Sequence, residues 1–115
     1  MDERILKWLY DIHQAIEEID QYFEYHPKDF LAYKGNTMLK RAVERDLEII
    51  GEAMNRILKR NYDISNRITA SRAIISSRNQ VIHAYDNVSD ENIWSILINH
   101  LPILKKEISQ LIEEN

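Results

Sequence analysis

The stretch that decides the fold is residues 5–23, ILKWLYDIHQAIEEIDQYF. Its apolar residues recur at steps of three and four, which is the period of a helix with one buried face. Pro27 restricts the backbone of His26, so we expect this helix to end before that pair. The apolar face consists of Ile5, Trp8, Leu9, Ile12, Ala15, Ile16, Ile19, Tyr22 and Phe23. A helix with such a face must pack against other helices or a sheet.

A second long helix is predicted after a connector at residues 27–36, which has room for a short turn at 29–33. Asn36 or Thr37 can cap this helix by accepting a backbone N–H bond. Gly51 lies inside the helix and is expected where another helix backbone approaches closely. The apolar residues are Met38, Leu39, Ala42, Val43, Leu47, Ile50, Ala53, Met54, Ile57 and Leu58.

The remaining pattern predicts a loop at 61–66, a shorter helix and a last long helix. Thr69 or Ser71 caps the shorter helix, which runs to about residue 83 or 84. Ser89 caps the last helix, in which Pro102 is expected to produce a kink because proline removes a backbone hydrogen bond. The whole chain, 1–115, is therefore predicted to be one all-α domain, an up-and-down antiparallel bundle of four to five helices.

Composition excludes several classes of function. The 115 residues contain no cysteine, which rules out disulfides, thiolate metal sites and a cysteine nucleophile. No apolar run is long enough for a membrane span or a signal peptide, so we expect a cytoplasmic protein without a membrane partner. His13, His26 and His100 have no ligand partners at metal spacing, and we predict neither a metal site nor a cofactor.

Charge is unevenly distributed along the chain. The net charge is −4, yet residues 55–83 carry six Lys or Arg against one acidic residue. Such a segment can form a patch for a polyanion. Alternatively, the bias disperses once the chain folds.

The basic segment overlaps SRNQVIHAY, residues 77–85, in which polar and titratable side chains stand at fixed offsets. Asn79 and His83 are four residues apart and share a helix face, and the long Arg78 side chain can reach the same end. Histidine can exchange a proton near neutral pH, and arginine matches a phosphate, so the set suits RNA cleavage without a metal. One histidine does not easily act as both base and acid, which favours a symmetric dimer. The alternative is an ordinary helix end whose histidine caps a carbonyl.

The motif RNQVIHAY fits Arg-Asn-x-x-x-His-x-Tyr and resembles the active-site motif of the HEPN superfamily, more narrowly that of the HepT-like toxins. AVERDLEIIGEA, residues 42–53, resembles the second long helix of that family, and IWSILINHLPILKKEISQLI, residues 93–112, resembles its last helix. The order and spacing of the three blocks match, so the resemblance covers nearly the whole chain.

This resemblance implies a homodimeric HEPN-like bundle that acts as a metal-independent ribonuclease toxin of a toxin–antitoxin pair. By position, Arg78 and His83 are the catalytic pair and Asn79 supports them. The implied partner is a nucleotidyltransferase antitoxin that silences the toxin by transferring AMP to Tyr85. The chain departs from the family at residues 86–87, Asp-Asn, where an aromatic residue and a glycine are expected.

Other residues have two interpretations. Glu52 either orients Arg78 or forms an ordinary ion pair. Arg67 and Arg72 either contact the RNA backbone or are solvated charges. Trp8 and Trp94 are expected in the core or an interface rather than as base-stacking platforms. The rival function for the whole chain is a non-catalytic, nucleotide- or partner-binding subunit of a nucleotidyltransferase complex.

Overall fold

The computed structural model describes residues 1–76 and 89–115. Its helices are α1 (Glu3–Tyr25), α2 (Phe30–Lys34), α3 (Thr37–Arg60), α4 (helical residues 71–76), α5 (Asp90–Ser95) and α6 (Leu101–Glu113). A 3₁₀ turn (Tyr62–Arg67) follows α3, and a π-helical turn (Ile96–His100) joins α5 to α6.

The first long helix follows the predicted pattern. Asp2 caps α1 by accepting a hydrogen bond from the Arg4 N–H, and the helix ends at Tyr25, before Pro27. Its buried residues are Ile5, Leu9, Ile12, Ala15, Ile16 and Ile19. All six belong to the predicted apolar face, which is therefore confirmed as the face that meets the core.

The second long helix runs antiparallel to the first. Asn36 caps α3 by accepting from the Leu39 N–H, as predicted. At the other end of α3, Arg60 Nε donates to Asp2 Oδ2 at the start of α1 over 2.6 Å. Lys59 and Arg60 occupy the last turn, where positive charge is favourable to the helix dipole.

The predicted connector, residues 27–36, contributes a buried side chain to the core. Asp29 caps α2 by accepting from the Ala32 N–H, and Tyr33 of this short helix is fully buried. The Trp94 ring lies 5.3 Å from the Tyr33 ring, centroid to centroid, and also contacts Phe23 and Phe30. This aromatic cluster joins α1, α2 and α5, and Trp94, which was expected in the core or an interface, is partly buried and packs against the core.

The last helix departs from α geometry just before Pro102. Ser89 caps α5 through the Asn92 N–H, as predicted. The Leu101 N–H then bonds to Ile96 O, one residue further back than in an α-helix. Proline has no N–H to donate within a helix, and a π-helical turn directly precedes it here, while the expected kink stays a prediction.

The helices together confirm the predicted all-α bundle. Lys105 near the start of α6 contacts Asp20 in the second half of α1, while Asn115, beyond the end of α6, lies beside Met1. The helices α3 and α6 therefore both run antiparallel to α1, and their buried faces share one core. In the part of the chain that the structure describes, no helix is long and apolar enough to span a membrane.

Candidate functional site

The predicted catalytic motif lies outside the described residues. Arg78, Asn79, His83 and the predicted AMP acceptor Tyr85 all fall within residues 77–88. Their roles therefore stay predictions. The structure does describe the residues directly before and directly after this segment. It also describes Glu52, Arg67 and Arg72.

The chain that leads into the motif is held against α6. Ile68 and Ile74 are buried in the core, and Ser71 is buried beside them. The backbone N–H of Thr69 donates to both carboxylate oxygens of Glu107, over 3.2 and 3.3 Å. Because Glu107 belongs to α6, these bonds fix where α4 begins relative to the last helix.

The chain that leaves the motif is held against α2 and α3. Lys40 Nζ of α3 lies 3.4 Å from Asp90 Oδ2, in the first turn of α5. A longer pair of 3.7 Å joins Lys34 of α2 to Glu91. The start of α5 thus carries two acidic residues, each paired with a lysine from a different helix.

Glu52 lies in α3, and its carboxylate accepts a hydrogen bond from Arg56 Nε over 3.2 Å. It helps to line a groove of about 270 Å³ between α1 and α3, together with Trp8, Asp11, Arg45, Glu48, Ile49, Ala53 and Arg56. Trp8 is partly buried and packs against the core. The pair with Arg56 fits the ordinary-ion-pair interpretation of Glu52, and its predicted action on Arg78 stays a prediction.

The basic segment is partly neutralised by the fold. Arg67 Nη2 donates hydrogen bonds to both carboxylate oxygens of Glu114, over 2.9 and 2.8 Å. Arg56 and Arg60 are paired with Glu52 and Asp2. Among the arginines of the described part of the segment, Arg72 is exposed and forms no ion pair with another described residue. Acidic partners therefore offset three of the four arginines in the described part of this segment.

Sequence reasoning missed a buried carboxyl group in the bundle. Asp46 of α3 is 2% exposed, and the Tyr22 hydroxyl donates to its Oδ2 over 2.7 Å. Burial raises the pKa of Asp46 to about 7, and a hydrogen bond with Glu18 adds to the effect. A signal existed, because Asp46 lies three residues after Val43 and four before Ile50, on the apolar face.

The titratable groups of the described ranges, 1–76 and 89–115, show no cluster of three His, Asp or Glu side chains suited to a metal ion.

The described residues form an all-α bundle, and in the sequence the motif at 78–85 lies between α4 and α5. The family model described as "Ribonuclease HepT-like" matches residues 12–111. The chain therefore belongs to the HepT-like ribonuclease family, as the sequence resemblance predicted.

Two relatives illustrate the match. A Methanocaldococcus jannaschii protein named "Putative RNase MJ0125" is 30% identical over 117 residues, covering 99% of this chain and 97% of the relative. A Thermococcus cleftensis protein named "Probable ribonuclease HepT" is 33% identical over 105 residues, covering 90% of this chain and 92% of the relative. No solved structure gives a significant match.

Proposed function

We propose that this chain is an endoribonuclease that cleaves RNA without a metal ion and acts as a toxin. The observation that carries the proposal is the extent of the family match. The match spans residues 12–111 and therefore includes the complete Arg-Asn-x-x-x-His-x-Tyr motif at 78–85. Relatives matched over nearly their full length carry ribonuclease names, which supports the same activity here.

The chemistry follows from the residue types. His83 takes the proton of a ribose 2′-hydroxyl, and the 2′-oxygen forms a bond to the adjacent phosphorus. The bond from phosphorus to the 5′-oxygen breaks, which leaves a 2′,3′-cyclic phosphate and a 5′-hydroxyl. Arg78 stabilises the negative charge that develops on the phosphoryl oxygens, and Asn79 orients the groups.

The 5′-oxygen needs a proton as it leaves. In the proposed mechanism a protonated His83 from a second copy of the chain supplies it, because in an in-line displacement the leaving 5′-oxygen lies on the opposite side of the phosphorus from the 2′-oxygen and its base. The active species is therefore a homodimer with the two motifs facing each other.

Silencing by AMP completes the proposal. A nucleotidyltransferase antitoxin transfers the AMP group of ATP to the Tyr85 hydroxyl, and pyrophosphate is released. The added phosphate and base would block RNA by negative charge and bulk, because Tyr85 is two residues after His83.

Growth measurements test the toxin activity. Cells that express the wild-type chain should stop growing, and cells that express His83→Ala should grow normally at equal protein levels. His26→Ala is the matched control, because His26 is exposed just beyond the end of α1 and should leave toxicity intact. Equal harmlessness of wild type and His83→Ala would contradict the proposal and favour a non-catalytic binding subunit.

Mass spectrometry tests the modification. When the chain is produced together with the proposed nucleotidyltransferase antitoxin, a peptide containing Tyr85 should gain the mass of one or more AMP units. Tyr85→Phe should abolish the gain and leave cleavage insensitive to the antitoxin. An unmodified Tyr85 peptide from fully silenced protein would rule out this mode of control.

A further inference from the structure

A cavity of about 260 Å³ lies between α1 and the start of α6. Its apolar lining comes from α1, from the π-helical turn and from the first residues of α6: Ile16, Ile19, Phe23, Leu97, Leu101 and Pro102. All of these except Phe23 and Pro102 are at most 5% exposed and belong to the core. Because a packed core holds its side chains in place, the apolar lining of this cavity is already formed.

The backbone beside the cavity has an uncommon geometry. Leu97 belongs to the π-helical turn Ile96–His100, and Pro102 follows that turn by two residues. Turns of this kind are rare within helices and occur frequently at functional sites. The turn is therefore an independent reason to ask what the cavity holds.

The polar part of the lining carries an excess of positive charge. It consists of three lysines, Lys28, Lys105 and Lys106, which we call the lysine rim, and one acidic residue, Asp20. Lys105 Nζ is paired with Asp20 and with Glu17, over 2.8 and 3.4 Å. Lys28 and Lys106 are exposed and form no ion pair with another described residue. An acidic chain, with a net charge of −4, thus presents two uncompensated cations beside an apolar cavity.

One of these cations stands directly against the apolar lining. Lys28 Nζ lies 5.7 Å from the centroid of the Phe23 ring. We propose that the cavity binds a small amphipathic anion, with its apolar body between α1 and α6 and its anionic group at the lysine rim. Removing the apolar body from water favours binding, and the lysines select a negative charge. All of these residues are described, and the proposal does not depend on the proposed ribonuclease activity.

The volume favours a small molecule over a helix of a partner protein. A helix about 10 Å wide would fill 260 Å³ in less than one turn. An apolar cavity of about 150 Å³ holds benzene, so this cavity has room for an apolar body of about ten carbons. Decanoate, a ten-carbon carboxylate, is therefore the probe.

Binding is followed by methyl NMR on the full chain, with decanoate kept below the concentration at which it forms micelles. The methyl signals of Ile19 and Leu97, which line the cavity, should shift and saturate. The signals of Ile49, which lines the groove between α1 and α3, should not move. Decylammonium has the same chain length and the opposite charge, and it should bind at least about fivefold more weakly.

The double variant Lys28→Gln/Lys106→Gln removes the uncompensated charges of the rim. Both residues are exposed, so the fold should be retained, and circular dichroism checks this. We expect its Kd for decanoate to be about fivefold higher, because each exposed charge contact contributes a factor of about two. Lys7→Gln/Lys59→Gln is the matched control, since it changes the net charge equally at exposed positions outside the cavity and should leave the Kd unchanged. If the double variant fails to fold, the two single variants replace it.

Several outcomes would overturn the proposal. The absence of saturable shifts at Ile19 and Leu97 would do so, as would equal Kd values for wild type and the rim variant, or equal Kd values for decanoate and decylammonium. Shifts of the same two signals with protein concentration alone would assign the cavity to a second copy of the chain. Tighter binding of the capped peptide Glu-Leu-Glu than of decanoate would assign it to a protein partner.

Discussion

The hydroxyl of Tyr22 on α1 donates a 2.7 Å hydrogen bond to Oδ2 of Asp46 on α3. This bond joins the two long antiparallel helices at a position where Asp46 is almost completely buried. A buried carboxyl group is costly when charged, which explains why the pKa of Asp46 is raised. The Tyr22 bond acts in the opposite direction and lowers that pKa, because it stabilises the carboxylate.

Removing the hydroxyl should destabilise the bundle. Tyr22→Phe leaves Asp46 without this donor, and we expect the free energy of unfolding to fall by about 1–3 kcal/mol. The loss should be larger at pH 8 than at pH 5.5, because the charged carboxylate depends more strongly on the donor. Urea unfolding at the two pH values measures both effects. An equal loss at the two values would show that the bond does not favour the carboxylate.

Asp46 should also make stability depend on pH. Its folded pKa of about 7 exceeds the unfolded value of about 3.9, so its contribution is fully present below pH 4 and is lost as pH rises through 7. Asp46→Asn resembles the protonated form and lacks this titration. When the pH is raised from 5 to 8, the free energy of unfolding of Asp46→Asn should therefore rise by at least about 1 kcal/mol relative to that of the wild type. One pKa unit corresponds to about 1.4 kcal/mol. A constant difference between the two proteins would refute the raised pKa.

Tyr33, which is fully buried, predicts the opposite response to the same substitution. The hydroxyl of Tyr33 is buried and has no hydrogen-bond partner in the described structure. A buried hydroxyl without a partner costs about 1–3 kcal/mol, so Tyr33→Phe should leave the melting temperature unchanged or raise it. Thermal unfolding of Tyr22→Phe and Tyr33→Phe side by side provides the comparison. A large loss of stability in Tyr33→Phe would show that its hydroxyl has a polar partner.

Arg72 offers the most direct test of RNA binding outside the motif. It is exposed, whereas Arg67 would have to exchange its contacts with Glu114 for a phosphate. If Arg72 contacts a phosphate, Arg72→Ala should weaken binding similarly for all RNA sequences and reduce the slope of log Kd against log salt by about one. Fluorescence anisotropy with His83→Ala as the background avoids cleavage, and Lys7→Ala serves as control. Identical slopes for the two substitutions would show that Arg72 is a solvated charge.

Much of the fold could be predicted because helical periodicity reports directly on burial. The stripe from Ile5 to Phe23 and the caps at Asn36 and Ser89 depend only on nearby residues, and the structure confirms them. The burial of Tyr33 could not be read from so short a segment, since five helical residues give too few repeats to define a face. Its position depends on Trp94, some sixty residues further along the chain.

The surroundings of the site were harder to predict than the helices. Periodicity places Glu52 on a helix, but it does not choose among the cations within reach, and Arg56 one turn later is one of its partners. The same holds for Arg67, whose partner Glu114 lies at the far end of the chain. The motif itself was recognised as a sequence pattern, and its geometry stays a prediction because it lies outside the described residues.

The most direct test of the account is cleavage of a labelled single-stranded RNA by the purified chain in the presence of excess EDTA. The account predicts cleavage that leaves 2′,3′-cyclic phosphate ends, a kcat that falls by about 10²-fold or more in His83→Ala, and an unchanged kcat in His26→Ala. Cleavage that survives in His83→Ala, or that stops when EDTA is added, would contradict it.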